Sequence, residues 1–164
     1  MQEEQFWRLI DTVRAAARTQ DERPDVLTAK LSALDLGAIQ AFQVRYEELL
    51  LRANRWDLWG AAYLMNGGCS DDGFKYFRDW LISEGRSAFE AALERPESLA
   101  SLPKQEYFEL ELFGYAASRA FEAKGGGELD RSFEVELAQP QGTEWSEEEL
   151  PKLFPKLAAK YGHH

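Results

Sequence analysis

Apolar residues recur at the period of an α-helix along most of residues 3–124, and this pattern limits the fold more than any other feature of the chain. It is strictest where Ile39, Phe42, Tyr46, Leu49, Leu50 and Ala53 line one face of a single helix that Asp35 is placed to cap. Upstream, Phe6, Ile10, Val13 and Ala17 predict a helix from about Glu3 to Arg18. Asp21–Pro24 breaks that pattern, and Leu27, Leu31 and Leu34 mark a short second helix.

Asn54 is a candidate cap for a fourth helix, with Asp57 three residues on and Trp56, Trp59, Ala62 and Tyr63 at helical spacing. Asn66-Gly67-Gly68 ends it, because glycine accepts the left-handed conformation that helix ends use. Ser70-Asp71-Asp72 opens the next helix, whose stripe is Phe74, Phe77 and Leu81 with Tyr76 and Trp80 alongside. Gly85 punctuates it, residues 86–94 form a short helix, and Pro96 stops that one. A long central helix is predicted from Pro103 to Lys124, ended by Gly125-Gly126-Gly127.

Beyond that hinge Phe133, Val135 and Leu137 alternate with polar residues, the period of a strand. No partner strand is evident, so the stretch reads as an extended segment over the helices, with Trp145 as an anchor. Ser146 and Glu149 then make a capping box before a short helix bent by Pro151 and Pro155. The 164 residues fit one domain. The expected architecture is a compact, mainly α multi-helix domain with a short extended C-terminal segment. Its helical core spans about 1–124, its hinge and acidic extended segment 125–145, and its last helix 146–162.

Function is narrowed mainly by exclusion. The net charge is −10, and residues 128–149 hold eight acids against the single base Arg131, so that stretch alone carries −7. A field of that sign repels phosphate backbones, and no cluster of Lys and Arg offers a nucleic-acid interface. No apolar run approaches the roughly 18 residues that span a bilayer, and the first residues do not resemble a signal peptide, so a cytoplasmic protein with no membrane partner is expected. Cys69 is the only cysteine and forms no intrachain disulfide. The only histidines, His163 and His164, are the last two residues. The first 162 residues therefore hold no imidazole for a catalytic triad, a zinc site or general acid–base work.

The stretch from Trp56 to Gly85 reads WDLWGAAYLMNGGCSDDGFKYFRDWLISEG, and the pair Phe6-Trp7 lies upstream. Together they resemble a bacterial family classed as a domain of unknown function, whose members share the core W-D-L-W-x-A-A-Y-L-x-N-G-G-C-S-D-D-x-F-x-Y-F-R-x-W-L-I. The resemblance implies no activity and assigns no catalytic residue.

The candidate binding surface or pocket lies in this stretch: Trp56, Asp57, Trp59, Tyr63, Asn66, Gly67, Gly68, Cys69, Ser70, Asp71, Asp72, Arg78 and Trp80. One reading makes these residues helix ends and core. A second places an anion at the helix start after Cys69, where Asp71 and Asp72 oppose it. A third gathers Asp57, Asp71, Asp72 and Asp79 around magnesium or calcium, without EF-hand spacing. Cys69 as a nucleophile lacks a base. Arg45 and Arg78 sit on helices with strong apolar faces and are expected either to pair with acids such as Asp57 or Asp79 or to be exposed. The leading expectation is a non-catalytic binding or regulatory module acting through protein contacts, with no cofactor and no resident metal. The competing class is a histidine-independent enzyme using Asp and Glu, with or without a divalent metal.

Overall fold

In the computed structural model, which describes residues 1–162, the strictest helical period becomes α3 (Leu36–Arg52). Its N-cap is Asp35, whose carboxylate accepts from the Ala38 amide at 2.8 Å. His163 and His164 lie outside the described residues. The helix α1 (Glu3–Ala16) ends two residues short of the predicted bound and buries Phe6, Trp7, Ile10 and Val13. Phe6 stacks on Phe42 of α3 with ring centroids 4.8 Å apart. A 3-10 turn at Gln20–Glu22 leads to α2 (Arg23–Ser32), which carries Pro24 in its first turn and buries Leu27 and Leu31. The helices α4 (Trp56–Asn66), α5 (Asp71–Ser83) and α6 (Arg86–Glu94) follow, with Gly67, Ser70 and Gly85 at the boundaries predicted for them.

The centre of the molecule is α5, where nine of thirteen residues are buried, including Phe74, Phe77, Trp80, Leu81 and Ile82. Each such side chain contributes about 1.5–3 kcal/mol when fully buried, so α5 is a major part of the core, alongside α3 with its buried Ile39, Phe42, Tyr46, Leu49 and Leu50. The predicted long helix over 103–124 does not form. Residues 103–110 run without helix, a 3-10 turn spans Glu111–Tyr115, and only α7 (Ala116–Ala123) is α-helical. Tertiary bonds win here. The Phe108 amide donates to the Asn66 side chain at 2.9 Å, the Leu110 amide donates to the Tyr76 carbonyl at 3.0 Å, and Phe108 is fully buried. A helix through Phe108 would consume the amides that make these contacts.

The strand-like alternation at 133–137 also resolves differently. Glu134–Leu137 is a single helical turn, α8, in which only Val135 is buried. With no neighbouring strand, the backbone bonds locally: the Ala138 amide donates to the Glu134 carbonyl at 2.8 Å. Extended backbone comes later, and among the described residues its one bridge is a parallel pairing of Arg55 with Gln141. The predicted C-terminal helix divides at Phe154 into α9 (Leu150–Leu153) and α10 (Pro155–Tyr161), each starting with a proline in its first turn. Among the described residues the fold is all-α, with no β-strand, and no helix is long and apolar enough to cross a membrane.

Candidate functional site

Several of the singled-out residues are absorbed by helix ends. Gly67 holds φ at 67°, in the left-handed region, and closes α4 as predicted. Ser70 caps α5 by accepting from the Gly73 amide at 3.1 Å. Asp71 and Asp72 sit exposed in the first turn of α5. Asn66 clamps Phe108, and Gly68 leaves open space around it. Cys69 is half-buried, and burial first, then the Glu109 carboxylate, pushes its thiol up to about 12. Trp80 is buried in the core, with its indole N–H unpartnered.

Arg78 corrects an expectation. Among the described residues it makes no ion pair with Asp57 or Asp79. Its guanidinium donates to the Leu50 carbonyl at 2.6 Å, at the C-terminal end of α3, and lies 4.7 Å from the Phe74 ring centroid. Arg45 does pair with an acid, Glu48 at 2.6 Å, and also donates to the Met1 carbonyl. Asn54 corrects another. It does not cap α4; Arg55 holds that position, and the Asn54 side chain donates to the Ala138 carbonyl at 3.2 Å.

The start of α4 forms an aromatic corner. Trp56 and Trp59 stack in parallel at 5.1 Å, and Trp59 stacks in turn on Phe74 at 5.1 Å. The Trp59 indole donates to the Cys69 carbonyl at 2.9 Å, so this ring is half-buried and fixed in place. Trp145 arrives perpendicular to both indoles, at 88°, and lies 5.4 Å from Tyr63. Its own indole donates to the Trp56 carbonyl at 2.6 Å. The chain around Trp145 is held by main-chain bonds. The Trp56 amide donates to the Gln141 carbonyl and the Gln141 amide to the Asn54 carbonyl, both at 2.9 Å. The Tyr63 hydroxyl donates to Glu147. Gly60 admits this layer: a Cβ there would lie 2.8 Å from Leu150, 3.0 Å from Phe154 and 3.1 Å from the Trp145 indole nitrogen. Beside it opens a cleft of about 480 Å³, lined by Arg55, Asp57, Thr143, Glu144, Trp145 and Phe154 among others. Asp57 is paired there with Arg55 at 3.3 Å.

A second cluster was not singled out as a unit by the sequence. Asp79 is wholly buried; Tyr46 donates to one of its oxygens at 2.6 Å, and Lys75 reaches the other at 2.8 Å. Burial raises this carboxyl to about 6, against the opposing pull of the Lys75 ammonium. Gly114 lets the 3-10 turn lie against the pair, since a Cβ there would fall 2.6 Å from Lys75 Nζ. Tyr46, Lys75 and Gly114 also border a cleft of about 170 Å³, together with Glu47 and Arg131. The available signal was an i, i+4 Lys–Asp pair on a helix whose other residues are mostly apolar.

The four carboxylates considered for a metal do not converge. Asp57 is tied to Arg55, Asp71 and Asp72 face solvent, and Asp79 lies inside with Lys75. Among the described residues no group of three or more His, Cys, Asp or Glu side chains is arranged to hold a metal ion.

An all-α domain built around α5, with an aromatic corner at the start of α4, is thus the class of protein that the fold defines. The chain belongs to the family described as proteins of unknown function, DUF4240, whose sequence model matches residues 1–123. No curated protein and no solved structure matches it.

Proposed function

We propose that the chain is a non-catalytic binding or regulatory module acting through protein contacts, and that its contact surface is the corner formed by Trp56, Asp57, Trp59 and Tyr63. One observation carries this reading. The corner already holds an extended stretch of polypeptide by the means used for peptide ligands: main-chain bonds at Asn54 and Trp56 and a recess for one large side chain. The amide of Trp56 and the carbonyl of Asn54 lie between two helices, where neither helix satisfies them, so an occupant with free backbone is favoured.

The competing enzyme class draws on Asp79, whose raised carboxyl is the kind of group that acid–base chemistry uses. Both Asp79 oxygens are occupied by Tyr46 and Lys75, and the residue has no exposed surface, which leaves no face for a substrate. The contact reading is therefore preferred. It is tested by selecting a random library of peptides, each about twelve residues long, on the wild-type chain and on Trp145→Ala. Peptides whose binding is lost in Tyr63→Ala, with an unchanged thermal midpoint for that variant, support the surface. A selection that yields no Tyr63-dependent peptide on either chain overturns it.

A further inference from the structure

We infer that residues 138–149, extended as far as Ser146 and closed by a 3-10 turn over Glu147–Glu149, are a displaceable ligand held in cis, and that the partner taken by this corner in trans is an acidic, tryptophan-bearing segment of the same chemistry. The inference rests on the reading of the corner as a protein-contact surface and specifies its occupant.

The recess selects tryptophan by shape and by polarity. Its walls are the Trp56 and Trp59 rings and Tyr63, its floor is the Cβ-less Gly60, and the Trp56 carbonyl offers an acceptor to an indole N–H. Tyr63 then donates to a carboxylate two residues after the tryptophan, the place held by Glu147. Four residues before it, Gln141 supplies the extended backbone. An occupant is thus read at three points by chemistry that any chain with this spacing can provide.

The same segment is weakly committed to its place. Within 138–149 only Pro140 and Trp145 are even half-covered; the other residues are exposed. It carries four acids and no base in a chain whose net charge is −10, which leaves −6 elsewhere, so like-charge repulsion works against its docking. Its flanks are held by buried side chains of their own, Val135 on one side and Leu150, Phe154 and Leu157 on the other, although Leu150 and Phe154 pack on Gly60 beside Trp145. The stretch between them can therefore leave the corner while α9 and α10 stay packed. It also lies outside residues 1–123, so the surface it covers belongs to the family domain while the cover does not. Tethering keeps the cis segment at an effective concentration of order millimolar, so a trans ligand competes only when abundant or when the tethered tryptophan is removed.

The test is a fluorescently labelled peptide of residues 138–149, titrated into the full-length wild-type chain and into Trp145→Ala. The variant is expected to bind at least about tenfold more tightly than wild type, and the same peptide with alanine for tryptophan to bind neither. Equal affinity for the two chains, or binding that survives loss of the peptide's tryptophan, overturns the inference. Should Trp145→Ala fail to fold, the wild-type chain at millimolar peptide provides the second measurement. The Trp145 indole N–H resonance is expected to move to its solvent-exposed position, and an unmoved resonance overturns the inference. If the random library yields Tyr63-dependent peptides without tryptophan while the 138–149 peptide does not bind, only the occupant falls. If neither binds, the contact surface falls with it.

Discussion

The Tyr46 hydroxyl donates to the Asp79 carboxylate at 2.6 Å, joining α3 to α5 where solvent does not reach. Lys75 completes the arrangement from one turn back on α5, and its own side chain is partly exposed. A carboxylate in such a place is costly unless every oxygen is paired, so the three residues act as one structural unit.

Stability is expected to fall as pH rises across this group. The folded-state carboxyl of Asp79 titrates near 6, above its ordinary 3.8, because burial disfavours the charged form. The folded state therefore holds a proton that the unfolded state has released, and the contribution is lost as pH rises through about 6. Glu47 and Glu109 are also raised by burial and act in the same direction. Urea midpoints between roughly pH 4 and pH 7 should decline, and Asp79→Asn should flatten that slope. A slope unchanged in Asp79→Asn would show that the other carboxylates set it.

Removing one partner isolates the hydrogen bond from the charge. Tyr46→Phe leaves the packing nearly intact but strips a buried carboxylate of one donor. The expected cost is about 1.5–3 kcal/mol, the range for bonds to charged groups. Chemical denaturation at neutral pH measures it, and a loss below about 0.5 kcal/mol would mean that water replaces the hydroxyl.

Much of this fold was legible because its helices end on explicit signals. Asp35, Ser70, Gly67 and Pro96 each sit where local backbone chemistry dictates, and the helices they bound formed as read. The failures share a different cause. Tyr107, Leu110, Gly114 and Phe121 keep helical spacing, but the amides of Phe108 and Leu110 are taken by Asn66 and Tyr76, residues more than thirty positions away. Nothing local announces such bonds. Phe133, Val135 and Leu137 alternate as a strand would, yet no second strand exists for them among the described residues, and the backbone closes a helical turn. At the corner, Trp56, Trp59 and Tyr63 were marked by their helical spacing in the family-like stretch, and Trp145 as the anchor of the extended segment. Their meeting depends on the Asn54–Gln141 backbone pairing, which carries no side-chain signature.

The Asn66 clamp is open to direct measurement. Its side chain accepts from the Phe108 amide at 2.9 Å and donates to the Phe108 carbonyl at 3.4 Å. Asn66→Ala leaves that buried amide without a partner and should cost about 1–3 kcal/mol. Faster amide exchange confined to residues 103–110 would accompany the loss. Uniformly faster exchange across α5 would instead show that the clamp holds the whole core.

Cys69 is expected to be inert although it lies one residue before a helix cap. Burial and the nearby Glu109 keep the thiol up at about 12, so little thiolate exists at pH 8. Labelling by a maleimide or disulfide reagent in the native state should be far slower than in urea. Rapid native labelling would require the turn between α4 and α5 to open frequently, and the rate would then report that opening.

Arg78 sets two large effects against each other. A buried guanidinium with no acid partner among the described residues, its Nε unbonded, carries a desolvation cost of several kcal/mol. Against that stand a charge-assisted bond to the Leu50 carbonyl, worth about 1.5–3 kcal/mol, and the Phe74 ring at 4.7 Å, worth about 2 kcal/mol when desolvated. The sums nearly cancel. Arg78→Met keeps most of the volume and removes the charge, so its stability should fall within about 1 kcal/mol of wild type. Arg78→Ala also loses the packing of the long stem over Phe74 and should be the weaker protein by about 2 kcal/mol or more. If Arg78→Met proves as damaging as Arg78→Ala, the bond that closes the end of α3 outweighs the cost of burying its donor.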